Sequence, residues 1–159
     1  MGRHLTSFGV GDKQQHTLTG EVCFEGVTLH KGLPSKLLIK PAPPNYGLVF
    51  KRIDVNSSMN LVKARWDNVS DTTLCTTVSN EIGISVSTIE HLMAAFAGCA
   101  IDNALVEINC PEIPIMDGSA RPFVDMFEKV GVYQQKASRK YIKILKPIKI
   151  LENDACIEL

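Results

Sequence analysis

A chain of 159 residues, 45% hydrophobic and 21% charged, is long enough to bury a true core and has the composition of one globular domain. Its 17 basic residues balance 17 acidic ones, with neither a Lys/Arg run nor an aromatic stacking row, so nothing marks it for nucleic acid. No apolar run approaches the ~20 residues of a transmembrane helix and residues 1–15 lack the core of a secretory signal, so the expected compartment is the cytoplasm.

In chain order, residues 1–15 are polar and Gly-containing and are expected to be a loose extension. Alternation over 16–23 and 35–40 predicts two strands, joined through Glu25-Gly26-Val27-Thr28-Leu29-His30-Lys31-Gly32. Pro41, Pro43, Pro44 and Asn45 force a turn before a third strand over 48–53. Residues 54–70 are irregular and read as an inserted loop or small ribbon, and further strands are expected over 74–78 and 84–86. Asp71-Thr72-Thr73-Leu74-Cys75-Thr76 mixes small polar and apolar residues in a way that suits a cleft wall, although residue type alone favours an inward-facing strand thiol at Cys75.

A helix is expected from Ser87 to a stop at Gly98, followed by an apolar strand over 104–109 and a rigid loop, Pro111-Glu112-Ile113-Pro114-Ile115-Met116-Asp117-Gly118-Ser119. A second helix over about 120–130 has Ser119 as N-cap, Pro122 in its tolerant first turn and Gly131 as stop, with Phe123, Met126, Phe127 and Val130 facing inward. A strand-like run over 141–151 and the alternation of Ala155, Ile157 and Leu159 predict a hairpin. Alone it is only marginally stable, so 139–159 reads as the opening of a truncated second domain. Strands before and between two helices make 16–138 a two-layer α+β sandwich. Five cysteines without a Cys-x-x-Cys pair argue against a disulfide framework or zinc ribbon, and Cys23, Cys99, Cys110 and Cys156 sit among apolar neighbours as buried thiols.

The chemistry-bearing stretch is Ser87-Thr88-Ile89-Glu90-His91-Leu92-Met93-Ala94-Ala95-Phe96-Ala97-Gly98, which sets a carboxylate beside an imidazole in the first turn of an apolar helix. Ile89, Leu92, Met93 and Phe96 form a core stripe, while Ala94, Ala95, Ala97 and Gly98 leave no polar face, so the helix is expected to be buried all round. Glu90 also has the spacing of a capping-box partner for Ser87, a backbone role that implies no chemistry.

Five stretches in one order, Leu29-His30-Lys31-Gly32, residues 71–76, residues 87–98, Ile101-Asp102-Asn103 and residues 112–119, closely resemble the N-terminal half of the UDP-3-O-acyl-N-acetylglucosamine deacetylase family, the zinc amidohydrolases of bacterial lipid A synthesis. The resemblance implies a mainly antiparallel sheet with two helices on one face, ribosomal protein S5 domain 2-like. It also implies a second similar domain whose helices pack face to face with these, holding Zn²⁺ and substrate between them. By the same resemblance His91 is a zinc ligand, Glu90 the general base, Leu74 and Cys75 part of the wall beside the metal, and His30 part of the loop approaching substrate. The family's remaining ligands, from a His-x-x-x-Asp stretch, are absent from this chain: His4, His16 and His30 precede the motif and none has Asp four residues later. The partners implied are the UDP-sugar substrate and a C-terminal half, with the chain inactive alone. Thr28 stands where the family usually has Gly, and positive φ there would strain it. The competing reading is a non-catalytic module of the same fold that binds a sugar nucleotide or a protein.

Overall fold

Period-two alternation builds the main sheet of the computed structural model, which describes residues 13–159; His4 and the expected loose extension up to residue 12 lie outside the described residues. The elements are β1 (Gln14–Leu18), β2 (Val22–Val27), β3 (Pro34–Pro41), β4 (Leu48–Arg52), β5 (Leu61–Lys63), a 3-10 turn (Trp66–Asn68), β6 (Val69–Asp71), β7 (Thr77–Ser79), β8 (Ser85–Val86), α1 (Glu90–Gly98), β9 (Ala104–Ile108), α2 (Arg121–Val130), β10 (Val132–Ser138), β11 (Lys149–Glu152) and β12 (Ala155–Glu158). The main sheet runs β2-β3-β9-β4-β5, antiparallel except for the parallel β4–β9 pair. β1 pairs with β10, β6-β7-β8 form a small sheet, and β11 pairs with β12. The architecture is the expected α+β sandwich.

Phe24, Leu37, Ile39, Val106 and Ile108 point from the sheet into the core, where they meet both helices. Phe24 lies 4.9 Å from the ring of Phe123 on α2, and Phe127 stacks on Phe96 of α1 at 5.0 Å and 15°. One line of aromatic contacts thus joins sheet, α2 and α1, and such pairs add about 0.5–1.5 kcal/mol beyond their area. On the sheet's other face Lys40 and Lys51 flank Glu107 at 2.8 and 3.0 Å and hold its carboxyl below the ordinary value of 4.5.

The Ile101-Asp102-Asn103 motif is a clamp between distant segments. Asn103, 1% exposed, donates to Gln15 Oε1 (2.9 Å) and Gln135 Oε1 (2.7 Å) and accepts from the Gly47 amide (2.8 Å). Asp102 accepts from the His16 amide (2.7 Å) and from Arg139 Nε (2.8 Å). β1 and β10 are thereby fastened to the main sheet.

Several expectations are corrected. The strand over 16–23 is two strands, because at Thr19-Gly20-Glu21 the chain leaves β1 for the main sheet; a Cβ on Gly20 would lie 3.2 Å from Val130 Cγ2. Gln14 and Gln15 belong to β1 rather than to a loose extension. Regular structure over 141–151 begins only at Lys149, and the strand expected over 74–78 begins at Thr77. Only Cys110 of the four expected buried thiols is buried: Cys23 alternates to the outer face of β2, Cys99 is half-buried and Cys156 is exposed on the terminal hairpin. α1 is buried on one side only, at Leu92, Ala95 and Phe96, while Ala94, Ala97 and Gly98 are exposed, since no described element packs over them.

Truncating Phe127 to Ala removes the shared partner of Phe24 and Phe96 and should destabilise the chain by about 3–5 kcal/mol, against about 0.5 kcal/mol or less for Tyr133→Ala at an exposed strand position. Urea unfolding of both variants checks this.

Candidate functional site

The chain reaches α1 by a turn, not by a capping box. Thr88 has φ 57°, a left-handed conformation costly for a β-branched residue, and Ile89 already has helical backbone with no side-chain cap. Ser87 Oγ donates instead to the Pro111 carbonyl (3.1 Å), and Glu90 Oε2 accepts the Thr76 amide (3.0 Å). The expected Ser87–Glu90 cap is therefore absent and the helix begins at Glu90. The Glu90 carboxylate is aimed sideways, at the backbone that follows Leu74 and Cys75.

A second carboxyl organises the backbone behind this pair. Glu112, 1% exposed, accepts on Oε1 from Thr88 Oγ1 (3.1 Å) and from the His30 amide (3.0 Å), while its own carbonyl accepts from Ser35 Oγ (2.9 Å). Backbone bonds run alongside: Ser87 N–H to Pro111 O (2.9 Å), Ile113 N–H to Ser87 O (3.1 Å) and Ile115 N–H to Val27 O (3.0 Å). Thr28 lies outside the positive-φ residues, so the strain expected there does not arise. Its hydroxyl accepts the Leu33 amide (2.9 Å), and Gly32 takes the left-handed position, φ 63°.

The expected site residues fall into two linked groups. Glu90 and His91 are adjacent and half-buried at the start of α1, and Thr76 ties Glu90 to the loop of Leu74 and Cys75. Leu74 is 81% exposed, and Cys75 is half-buried with Sγ 3.8 Å from Thr77 Oγ1. His30 is exposed and is joined to the Thr88 turn through Glu112. Among the described residues no three His, Cys, Asp or Glu side chains converge to hold a metal ion, so they do not by themselves make the three-ligand set of a catalytic zinc. His91 carries one imidazole of the kind such a set uses, and the Glu90 carboxylate stands next to it in the chain. Sequence reasoning missed Glu112 as an individual; an acid enclosed by Pro111, Ile113 and Pro114 was the available signal, since a carboxyl in apolar company must be hydrogen-bonded.

Residues 15–159 match the family model described as UDP-3-O-acyl N-acetylglycosamine deacetylase. The chain belongs to this deacetylase family. It is 48% identical over 145 residues to the UDP-3-O-acyl-N-acetylglucosamine deacetylase of Shewanella frigidimarina (strain NCIMB 400), covering 91% of this chain and 47% of the relative. The protein of the same name from Idiomarina loihiensis is 45% identical over 146 residues, covering 92% and 47%. The chain spans about half the length of these curated deacetylases.

The loop carrying Leu74 and Cys75 is shaped at its start by Asp71, whose Oδ1 accepts from Thr73 Oγ1 (2.7 Å) and from the Thr73 amide (2.9 Å). These bonds hold the Asp71 carboxyl below the ordinary value of 3.8. A lowered value means that the bonded form is fully present above pH 3.8 and is lost as the pH falls through the folded-state value. The Thr73 amide resonance should titrate with a midpoint below 3.8, and Asp71→Asn should abolish the titration; a midpoint above 3.8 would contradict the assignment.

Proposed function

We propose that this chain supplies the N-terminal half of a zinc-dependent deacetylase that removes the N-acetyl group of UDP-3-O-acyl-N-acetylglucosamine in lipid A biosynthesis, in the cytoplasm. The observation that carries the reading is the Glu90–His91 pair, a carboxylate and an imidazole side by side at a helix start, in a chain of this family. Residues 16–138 are read as one domain. Residues 139–159 are read as the opening of the second, since apolar residues on both faces of the β11–β12 hairpin, among them Ile150, Leu151 and Ile157, are exposed. The uncovered side of α1 is the surface on which the other half would pack.

His91 offers one imidazole ligand, and the remaining ligands come from the other half. The zinc, when bound, supplies Lewis acidity and a more acidic water. Glu90 would act as the base, taking a proton from the attacking water as its oxygen bonds to the acetyl carbon and giving that proton up to the departing nitrogen as the C–N bond breaks, so that acetate and the sugar amine are released. Thr76 engages Glu90 Oε2 and so orients the carboxylate that would take this proton.

Combining the chain with the second half of a relative tests this. Glu90→Ala should keep zinc content and lower kcat by about 10²–10⁴-fold, whereas His91→Ala should lower zinc content as well. Near-wild-type turnover of Glu90→Ala at saturating zinc would leave Glu90 the single role of holding the Thr76 amide. The chain alone should lose zinc to a chelator and show no turnover.

A further inference from the structure

The chemistry above gives no part to Glu112, yet its buried carboxyl accepts from both the Thr88 hydroxyl and the His30 amide. Thr88 is 2% exposed, holds φ 57° and precedes Glu90 by two residues, so it sets the direction in which α1 starts. Such a conformation persists in a β-branched residue only where its surroundings over-determine it. His30 belongs to a turn closed by Thr28, which bonds Leu33 through both hydroxyl and amide and accepts the Gly32 amide. One oxygen thus fastens a strained turn to an exposed loop.

We propose that Glu112 is a positioning residue for the candidate site: by accepting from Thr88 and His30 on one oxygen, it makes the His30 loop and the start of α1 move as one body. This rests on the deacetylase reading only for its functional consequence, a fixed approach of the His30 loop to the Glu90–His91 pair. The physical coupling is a property of the chain itself. It has a signature that general stabilisation lacks. Disturbing Thr88 should be felt at the His30 amide, across a carboxyl, without loosening the helix.

Amide hydrogen exchange on the full chain tests the coupling, with Thr88→Val removing the hydroxyl while keeping the β-branched shape, and Glu112→Gln keeping an acceptor oxygen in place. Thr88→Val should speed exchange of the His30 amide by several-fold and Glu112→Ala by about tenfold, the equivalent of one hydrogen bond. Glu112→Gln should stay near wild type, and exchange over Leu92–Gly98 should be unchanged in Thr88→Val and Glu112→Gln. If Thr88→Val leaves His30 exchange unaltered, or if helix and loop amides accelerate equally, the coupling is wrong. With the chain reassembled with a relative's second half, Thr88→Val should raise KM with kcat nearly kept. A change in kcat alone would overturn the positioning role. Absence of turnover in the reassembled wild type would count against the deacetylase reading, while the exchange data would still decide the coupling.

Discussion

Glu112 Oε1 is where the candidate site is held to the fold. A carboxyl at 1% exposure is tolerable only when donors replace the water it has lost, and the Thr88 hydroxyl and His30 amide do so. Removing a partner from a buried group of this kind costs about 1–3 kcal/mol, more when the group is charged. The same energy that makes the burial acceptable therefore fixes two backbone segments. One presents His30, and the other turns into Glu90 and His91.

The scaffold behind that oxygen is rigid for independent reasons. α1 is seated through Phe96 on Phe127, and α2 through Phe123 on Phe24, so the position of the helix start relative to the sheet is set by close aromatic packing. Arg52, on β4, donates through Nη1 to the Ser85 carbonyl (2.6 Å) and through Nε to Asp54 (2.8 Å), fixing the small sheet from which the Thr88 turn departs. Asn103 and Asp102 do the same for β1 and β10 at the other end of α1. Polar clamps with their acceptors filled thus surround one apolar core, which is the arrangement that gives buried polar groups a single geometry.

Those elements whose burial follows apolar periodicity were legible from the residues. Phe123 and Phe127 line α2, and Ala104, Val106 and Ile108 alternate on β9, so the hydrophobic effect alone selects period and face. β10 was not legible, because its one buried residue is Gln135, held by hydrogen bonds to Ala42 and Asn103 that no periodicity announces. Glu90 misled for a different reason. Its spacing from Ser87 suits a cap, but tertiary partners outcompeted the local one, with Ser87 taken by Pro111 and Glu90 by Thr76. The Glu90–His91 pair was readable from adjacency, whereas Glu112 required knowing which loop it would lie beneath.

The central claim is that His91, and not His30, offers its imidazole to a metal once the other half is present. Nitrogen-15 imidazole spectra of the chain, assigned with His91→Gln and His30→Gln, measure this before and after zinc and the second half of a relative are added together. The account predicts that the His91 ring nitrogens move to the position of a metal-bound imidazole while those of His30 do not. Metal-induced shifts at His30 with none at His91 would contradict it.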